Sequence, residues 1–72
     1  MTVAQWIRKY GSTHLFSEFT IVDKDNYIIL DDRIAYLDSR DEHYTKNWKA
    51  RCRGKQIIEE KTVHKAIVLV IE

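Results

Sequence analysis

Residues 66–71 read AIVLVI, the longest apolar run of the chain. Alternation along a strand would direct its isoleucines and leucine to one face of a sheet and its two valines to the other. A strand that is apolar on both faces has to be covered on both faces. The run therefore predicts a buried strand. Three arrangements satisfy that prediction: helices on both sides, a sheet curled over itself, or a second copy of the chain, which would make a homodimer.

The residues before this run extend the prediction to a sheet. Residues 56–63, QIIEEKTV, also have strand composition, although three charged residues interrupt them. Further upstream, β-branched and aromatic residues between Phe16 and Asp31 flank a polar cluster at 23–26. Asp and Asn tolerate turn backbone and hydrogen-bond to it locally, so this stretch predicts a β-hairpin.

The N-terminus predicts a helix. Apolar side chains recur there at helical spacing: Val3, Trp6, Ile7 and Tyr10. Thr2 and Gln5 are three residues apart, as in a capping box, where each side chain satisfies a backbone N–H at the helix start. Gly11 suits the left-handed residue that often follows the last turn of a helix.

Two acidic residues predict a second, short helical segment. Asp31 and Asp32 directly precede a segment that contains Ile34 and Leu37. Asp is a good N-cap residue, and its negative charge is favourable at the positive end of the helix dipole. We therefore expect this pair to cap a helical turn over the following residues.

Residues 48–55, WKARCRGK, allow two interpretations. With a period of two they form a strand with a cationic face, and with a period of 3.6 they end a helix at Gly54. The helix is favoured because Ser39 and Glu42 have the capping-box spacing and basic residues follow near the far end. In that helix Tyr44, Trp48 and Cys52 share one stripe.

Together these segments predict an α+β fold in a single domain over residues 1–72. An N-terminal helix is followed by a β-hairpin, a charged helical middle segment and C-terminal strands in a small antiparallel or mixed sheet. No proline, low-complexity stretch or repeat indicates a linker or a second domain. A chain of this size buries only about 60% of its unfolded surface, so a large enzyme cleft is not expected.

Charge and cysteine content restrict the setting. Twelve basic and eleven acidic side chains give a net charge of +1, so any electrostatic binding depends on local segregation of charge. The single cysteine cannot form an internal disulfide, which is typical of a reducing compartment. No run is long enough to cross a bilayer, and no apolar signal segment is apparent. We expect a soluble, cytoplasmic protein.

The residues that could carry catalysis or bind a metal are few. The imidazole and thiol groups belong to four residues: His14, His43, His64 and Cys52. None lie at the close paired spacing of zinc sites, and two glycines cannot build a glycine-rich phosphate loop. A cysteine on an apolar stripe is expected to be buried and inert. The sequence therefore predicts no catalytic residue, no metal, no cofactor and no enzymatic activity.

Charge segregation is the remaining functional signal. Residues 46–55 contain no acidic residue and five cations that we take as the candidate partner-binding residues: Lys46, Lys49, Arg51, Arg53 and Lys55. Complementarity with the helix dipole alone would also favour base at a helix end. An acidic protein partner and the phosphates of a nucleic acid are the two alternatives that involve binding.

The order of segments resembles that of a known group of proteins. An N-terminal MTVAQWI, a hairpin VDKDNYIIL and a terminal KAIVLVIE resemble in layout the short proteins of bacteriophages and other mobile elements. Some of these inhibit bacterial defence systems, including anti-CRISPR proteins that block an effector complex. The resemblance implies a non-enzymatic protein that binds its target through its surface. It assigns no site residue to this chain. The sequence thus predicts a protein-binding module, an inhibitor of a host complex, with a small nucleic-acid-associated protein as the alternative.

Overall fold

A computed structural model describes residues 1–37 and 49–72, the first two of the second range as backbone only. Helix α1 spans Val3–Tyr10 and runs into a 3-10 turn, Gly11–Thr13. Strands β1 and β2 are Phe19–Asp23 and Ile28–Asp32, followed by a 3-10 turn, Ile34–Tyr36. A π-helical turn, Lys49–Arg53, precedes strands β3, Ile57–Val63, and β4, Ala66–Ile71.

The four strands form one mixed sheet in the order β2-β1-β4-β3. β1 pairs antiparallel with β2, and β3 pairs antiparallel with β4. The two hairpins join through a parallel pairing of β1 with β4 at the centre of the sheet. A helix followed by a mixed sheet confirms the predicted α+β fold, with both predicted hairpin strands and both C-terminal strands present.

Strand β4 is buried on one face and largely covered on the other. Ile67, Leu69 and Ile71 join Val3 and Trp6 of α1 in the core, together with the side chains of β1 that share their face. On the opposite face Val70 keeps 5% of its surface, whereas Val68 is half-buried. This burial occurs within one chain and does not require a second copy, so homodimerisation stays a prediction without support from β4.

The start of α1 is the predicted capping box. The Thr2 hydroxyl accepts a hydrogen bond from the Gln5 N–H at 3.2 Å, and the Gln5 side chain accepts one from the Thr2 N–H at 2.8 Å. Two backbone donors that a helix start leaves unsatisfied are thereby paired. α1 is thus fixed at the end from which Val3 and Trp6 reach the core.

The prediction of a left-handed Gly11 is wrong. Gly11 is right-handed, with φ −60° and ψ −35°, because the chain continues into the 3-10 turn. Gly11 is buried. A Cβ built on it would lie 3.4 Å from methyl groups of both Ile7 of α1 and Ile34 of the 3-10 turn that follows β2, at ordinary van der Waals contact.

The prediction that Asp31 and Asp32 cap a helical segment is also wrong. Both residues lie in β2, and the short turn begins after Arg33, which makes no side-chain cap. The Asp32 carboxylate accepts from the N–H of Arg33 at 2.8 Å. Strand pairing with β1 holds this segment extended, and only a single 3-10 turn follows, in which Ile34 is buried, as is Leu37 directly after it.

Within the candidate helix at 48–55, the described part is helical. Lys49–Arg53 is a π-helical turn, so the strand interpretation is wrong for these residues. Gly54 is not left-handed as expected, and the chain turns there with the Lys55 N–H donating to the Cys52 carbonyl at 3.1 Å. The predicted cap at Ser39 and Glu42, and the stripe residues Tyr44 and Trp48, lie outside the described residues.

Candidate functional site

Strand β3 forms one edge of the sheet, and its outer side is covered only at its beginning. There the Ile57 N–H donates to the carbonyl of Met1 at 2.9 Å. From residue 58 to residue 63, no segment of the described chain pairs with the outer side of β3. Every side chain in that range is exposed, Ile58 at 52% among them. An open strand edge of this kind can accept a further strand.

The middle of β3 is charged on both faces. Glu59 and Lys61 share one face, with their charged groups 3.9 Å apart. Glu60 points to the other face, where its carboxylate accepts a hydrogen bond from the Trp6 indole N–H at 2.7 Å. Because the Trp6 ring is almost fully buried, this bond satisfies a donor that would otherwise lack water, and it ties α1 to β3.

A second feature lies at the end of the sheet where β1 and β4 begin. Because these strands are parallel, the ends of β2 and β3 lie at the same end of the sheet. Three segments converge there: residues 16–18 before β1, Arg33 after β2, and the turn of His64 and Lys65 between β3 and β4. They line an open pocket of about 400 Å³, which we call the turn pocket.

Two contacts hold the residues that form the wall of the turn pocket. The Arg33 guanidinium donates to the Phe16 carbonyl at 2.8 Å. The Phe16 ring meets the ring of Tyr36 edge-on, with centroids 6.1 Å apart, and yet stays 65% exposed. An aromatic surface therefore stands beside a held guanidinium that has further N–H donors to offer.

The turn that closes this pocket has an unfavourable backbone for its residues. His64 and Lys65 both have left-handed backbones, with φ of 51° and 69°. A two-residue hairpin turn needs such angles at both positions, which is why Asn-Gly is the common choice. A left-handed residue with a Cβ costs roughly 1–2 kcal/mol. The side chains of His64 and Lys65 both line the pocket from this turn.

An acidic pocket adjoins the turn pocket. It has a volume of about 370 Å³ and shares Glu18 and Arg33 with its neighbour. Asp31 and Asp32 complete its charged lining, and the Asp31 carboxylate accepts from the Thr20 hydroxyl at 3.2 Å. The end of the sheet therefore presents cations and carboxylates side by side.

The structure describes only some of the predicted cationic residues. Arg51, Arg53 and Lys55 are exposed. Lys49 begins the π-helical turn, its side chain lies outside the described residues, and Lys46 lies outside them entirely. Partner binding by these five cations therefore stays a prediction.

Cys52 is buried in the core, with 1% of its surface exposed. Burial raises the pKa of its thiol from 9.0 to about 11, against the opposing effect of the nearby Arg51 charge. The thiolate is the nucleophilic form, so Cys52 is unsuited to nucleophilic chemistry at neutral pH. Among the residues that the structure describes, no three His, Cys, Asp or Glu side chains converge as metal ligands would.

The sequence analysis missed the turn pocket. Phe16, Arg33 and Lys65 were not singled out, and His64 was considered only as a metal ligand. The available signal was two polar residues between two strand-like runs, VHKA, which fits a two-residue hairpin. His-Lys is not a usual turn pair, so this signal for the turn is weak, and it does not indicate which residues the turn brings together.

Comparison with known proteins adds no assignment. The chain matches no protein-family model, and searches of curated proteins and of solved structures found no significant match. In the described ranges, none of the helices has both the length and the apolar character needed to span a membrane.

Proposed function

We propose that the chain is a non-catalytic module that binds another protein by adding a strand of that protein to the outer edge of β3. The observation that carries this proposal is the edge itself, which the N-terminal residues cover only as far as Ile57. Strand addition supplies affinity through main-chain hydrogen bonds and specificity through neighbouring side chains. Ile58 and Val63, both about half exposed, would flank the added strand.

The geometry of the hairpin indicates which backbone groups are available. Val63 and Ala66 flank a two-residue turn and form the pair that closes the β3–β4 hairpin. In an antiparallel ladder, residues alternate between facing the partner strand and facing away. Counting back from Val63, the N–H groups of Glu60 and Thr62 face outward. These two donors are the ones that a partner strand would use.

The charges on β3 favour a different protein over a second copy. If two copies paired antiparallel about a two-fold axis, the central residue of the contact would meet itself. With Glu59 or Lys61 at the centre, like charges would lie directly opposite each other, which is destabilising. Charged residues in the middle of an edge strand are a common means of preventing self-association. A partner strand with basic residues opposite the two glutamates suits this edge better.

An inhibitor of a host protein complex, as the phage-like layout implies, is one form that this function takes. Such an inhibitor needs to occupy a contact surface and needs no reaction. β3 offers main-chain donors and a defined charge pattern to a single strand of its target. An inhibitor of this kind would act through the outer edge of β3.

The test is a matched pair of substitutions at one outward-facing position. Thr62→Pro removes the outward N–H, and proline is tolerated on an edge strand where the N–H faces solvent. Thr62→Ala alters the side chain and keeps the N–H. We expect a protein from lysate of the source cell to be retained by the wild type and by Thr62→Ala, and lost by Thr62→Pro.

Circular dichroism of both variants would establish that the sheet is intact. Equal retention by Thr62→Pro would show that the edge is not the binding surface. Absence of any retained protein on the wild type would contradict the protein-binding function as a whole.

The alternative is a small nucleic-acid-associated protein. The observation in its favour is the exposure of Arg51, Arg53 and Lys55 within five residues. Contacts between lysine or arginine and phosphate weaken steeply as salt is added. The alternative requires that a labelled duplex bind at low salt and dissociate at moderate salt, and a duplex that fails to bind at low salt contradicts it.

A further inference from the structure

The turn pocket has the composition of a site for an organic anion. Arg33, His64 and Lys65 bring three nitrogen-bearing side chains to it from two separate connections of the sheet. Glu18 is the one carboxylate among its lining residues. Arg33 is already oriented by its bond to the Phe16 carbonyl, so binding an oxyanion would not require the whole side chain to be ordered first.

An apolar surface accompanies these cations. The Phe16 ring is 65% exposed although it belongs to the pocket wall. Its edge-on contact with Tyr36 supports the ring on one side. A ligand that carries an apolar group beside its negative charge would cover this ring while its anion meets the cations.

The strained turn supports the same assignment. Backbone strain of this kind is retained where surrounding structure and function demand it. Asn and Gly at these two positions would relieve the strain, and neither would bring a cation. The residues present, His64 and Lys65, instead place an imidazole hydrogen-bonding group and a lysine cation at the pocket.

We propose that the turn pocket binds a carboxylate side chain, Glu or Asp, of a partner protein, with an adjacent apolar residue of the partner against Phe16. This proposal rests on the proposed function, namely that the chain binds another protein. A nucleic acid fits less well because Glu18, Asp31 and Asp32 line the adjoining acidic pocket. A continuous chain of phosphates would run past all three carboxylates and be repelled by them, whereas a single carboxylate in the turn pocket would lie near Glu18 alone.

The first experiment uses a short probe of the stated chemistry. A blocked tripeptide, leucine–glutamate–leucine, is titrated into the isotopically labelled full chain, and amide shifts are followed by NMR. We expect saturable shifts at Ser17, Arg33, His64 and Lys65, and none with the matched leucine–glutamine–leucine peptide. Equal shifts with the glutamine peptide, or stronger saturation of the same amides by a single-stranded oligonucleotide, would overturn the proposal.

The second experiment removes the cations of the turn and keeps the fold. The double substitution His64→Asn, Lys65→Gly fits the left-handed backbone and deletes the basic groups. We expect the peptide to bind about tenfold or more weakly, as the loss of a charge-assisted contact implies. Lys24→Ala is the matched control, since it removes one exposed lysine from the other turn of the sheet and should leave affinity unchanged.

The outcomes separate this site from the edge of β3. If the double substitution leaves peptide affinity unchanged, or if Lys24→Ala weakens it equally, the pocket is not the site. Thr62→Pro is expected to leave peptide binding intact, because it alters the edge and not the turn. Partner capture that survives Thr62→Ala and fails with Thr62→Pro, together with no peptide binding, would overturn the pocket and leave the proposed function standing.

Discussion

The turn between β1 and β2 and the turn between β3 and β4 each reverse the direction of an antiparallel strand, yet their residues suit the backbone very differently. In the first turn the Asp23 carboxylate accepts from the N–H groups of Asp25 and Tyr27, at 2.8 and 3.0 Å. Its one left-handed residue is Asn26, with φ 67°, and asparagine tolerates that region well. The second turn places His64 and Lys65 there instead.

The two turns differ in whether their residues stabilise the backbone locally. The first turn has local side-chain hydrogen bonds and lines neither the turn pocket nor the acidic pocket beside it. The second has strained backbone and lines the turn pocket. In folded proteins such strain is concentrated at binding and active sites. The contrast therefore supports the proposal that the second turn belongs to a binding site.

The largest expected effect comes from breaking the first turn. Asp23→Ala removes the acceptor of two backbone N–H groups, and each such bond contributes about 0.5–1.5 kcal/mol. We expect unfolding in urea to show a loss of about 1–2 kcal/mol.

Asp25→Ala, at an exposed neighbour in the same turn, serves as the control and should change stability by less than about 0.5 kcal/mol. A loss at Asp25 as large as that at Asp23 would mean that general charge, and not the two hydrogen bonds, stabilises the turn.

Relieving the second turn should act in the opposite direction. His64→Asn with Lys65→Gly replaces two strained residues by ones suited to a left-handed backbone, and we expect a gain of about 1–2 kcal/mol. The higher entropy of an unfolded glycine reduces this gain somewhat. Thermal unfolding measures it, and a lower melting temperature than that of the wild type would show that the two side chains stabilise the turn.

The effect that is smallest at neutral pH concerns Cys52, in the π-helical turn that precedes the second hairpin. Cys52 has a pKa of about 11 in the folded chain against 9.0 for an ordinary thiol. Since the folded pKa is the higher one, its contribution to stability is complete below pH 9 and is lost as pH rises toward the folded value. Cys52→Ala lacks this titration, so the stability difference between wild type and variant should shrink above pH 9.

Urea midpoints of both proteins at neutral and alkaline pH measure that difference. All other ionisable side chains are common to both proteins and do not contribute to the difference. A constant difference across the range would mean that the folded thiol ionises as readily as the unfolded one.

The sequence predicts the elements that depend on local chemistry. Thr2 and Gln5 have the spacing of a capping box, which favours a helix start at Thr2 whatever the rest of the chain does. Residues 23–26 favour a turn in the same way. The apolar run at 66–71 predicts its own burial for the same reason. Fold class and strand positions follow from these local signals.

Long-range pairing determines what the sequence cannot predict. Asp31 and Asp32 look like helix caps, yet pairing with β1 draws them into β2. Gly11 looks like a left-handed cap, yet the chain continues from it as a right-handed 3-10 turn. The turn pocket exists only because β1 and β4 are parallel, which brings Arg33 and His64 to one end of the sheet. No local sequence pattern indicates the parallel pairing of β1 with β4.

The parallel pairing of β1 with β4 also bears on how quickly the chain folds. Each hairpin closes a short loop, whereas the central pairing joins Phe19 to Ile67 across most of the chain. Closing so long a loop costs chain entropy before any contact is gained, and pairing between distant segments slows folding. The two hairpins are thus expected to form early and separately, in microseconds, and their union at β1 and β4 to set the rate at which the native sheet appears.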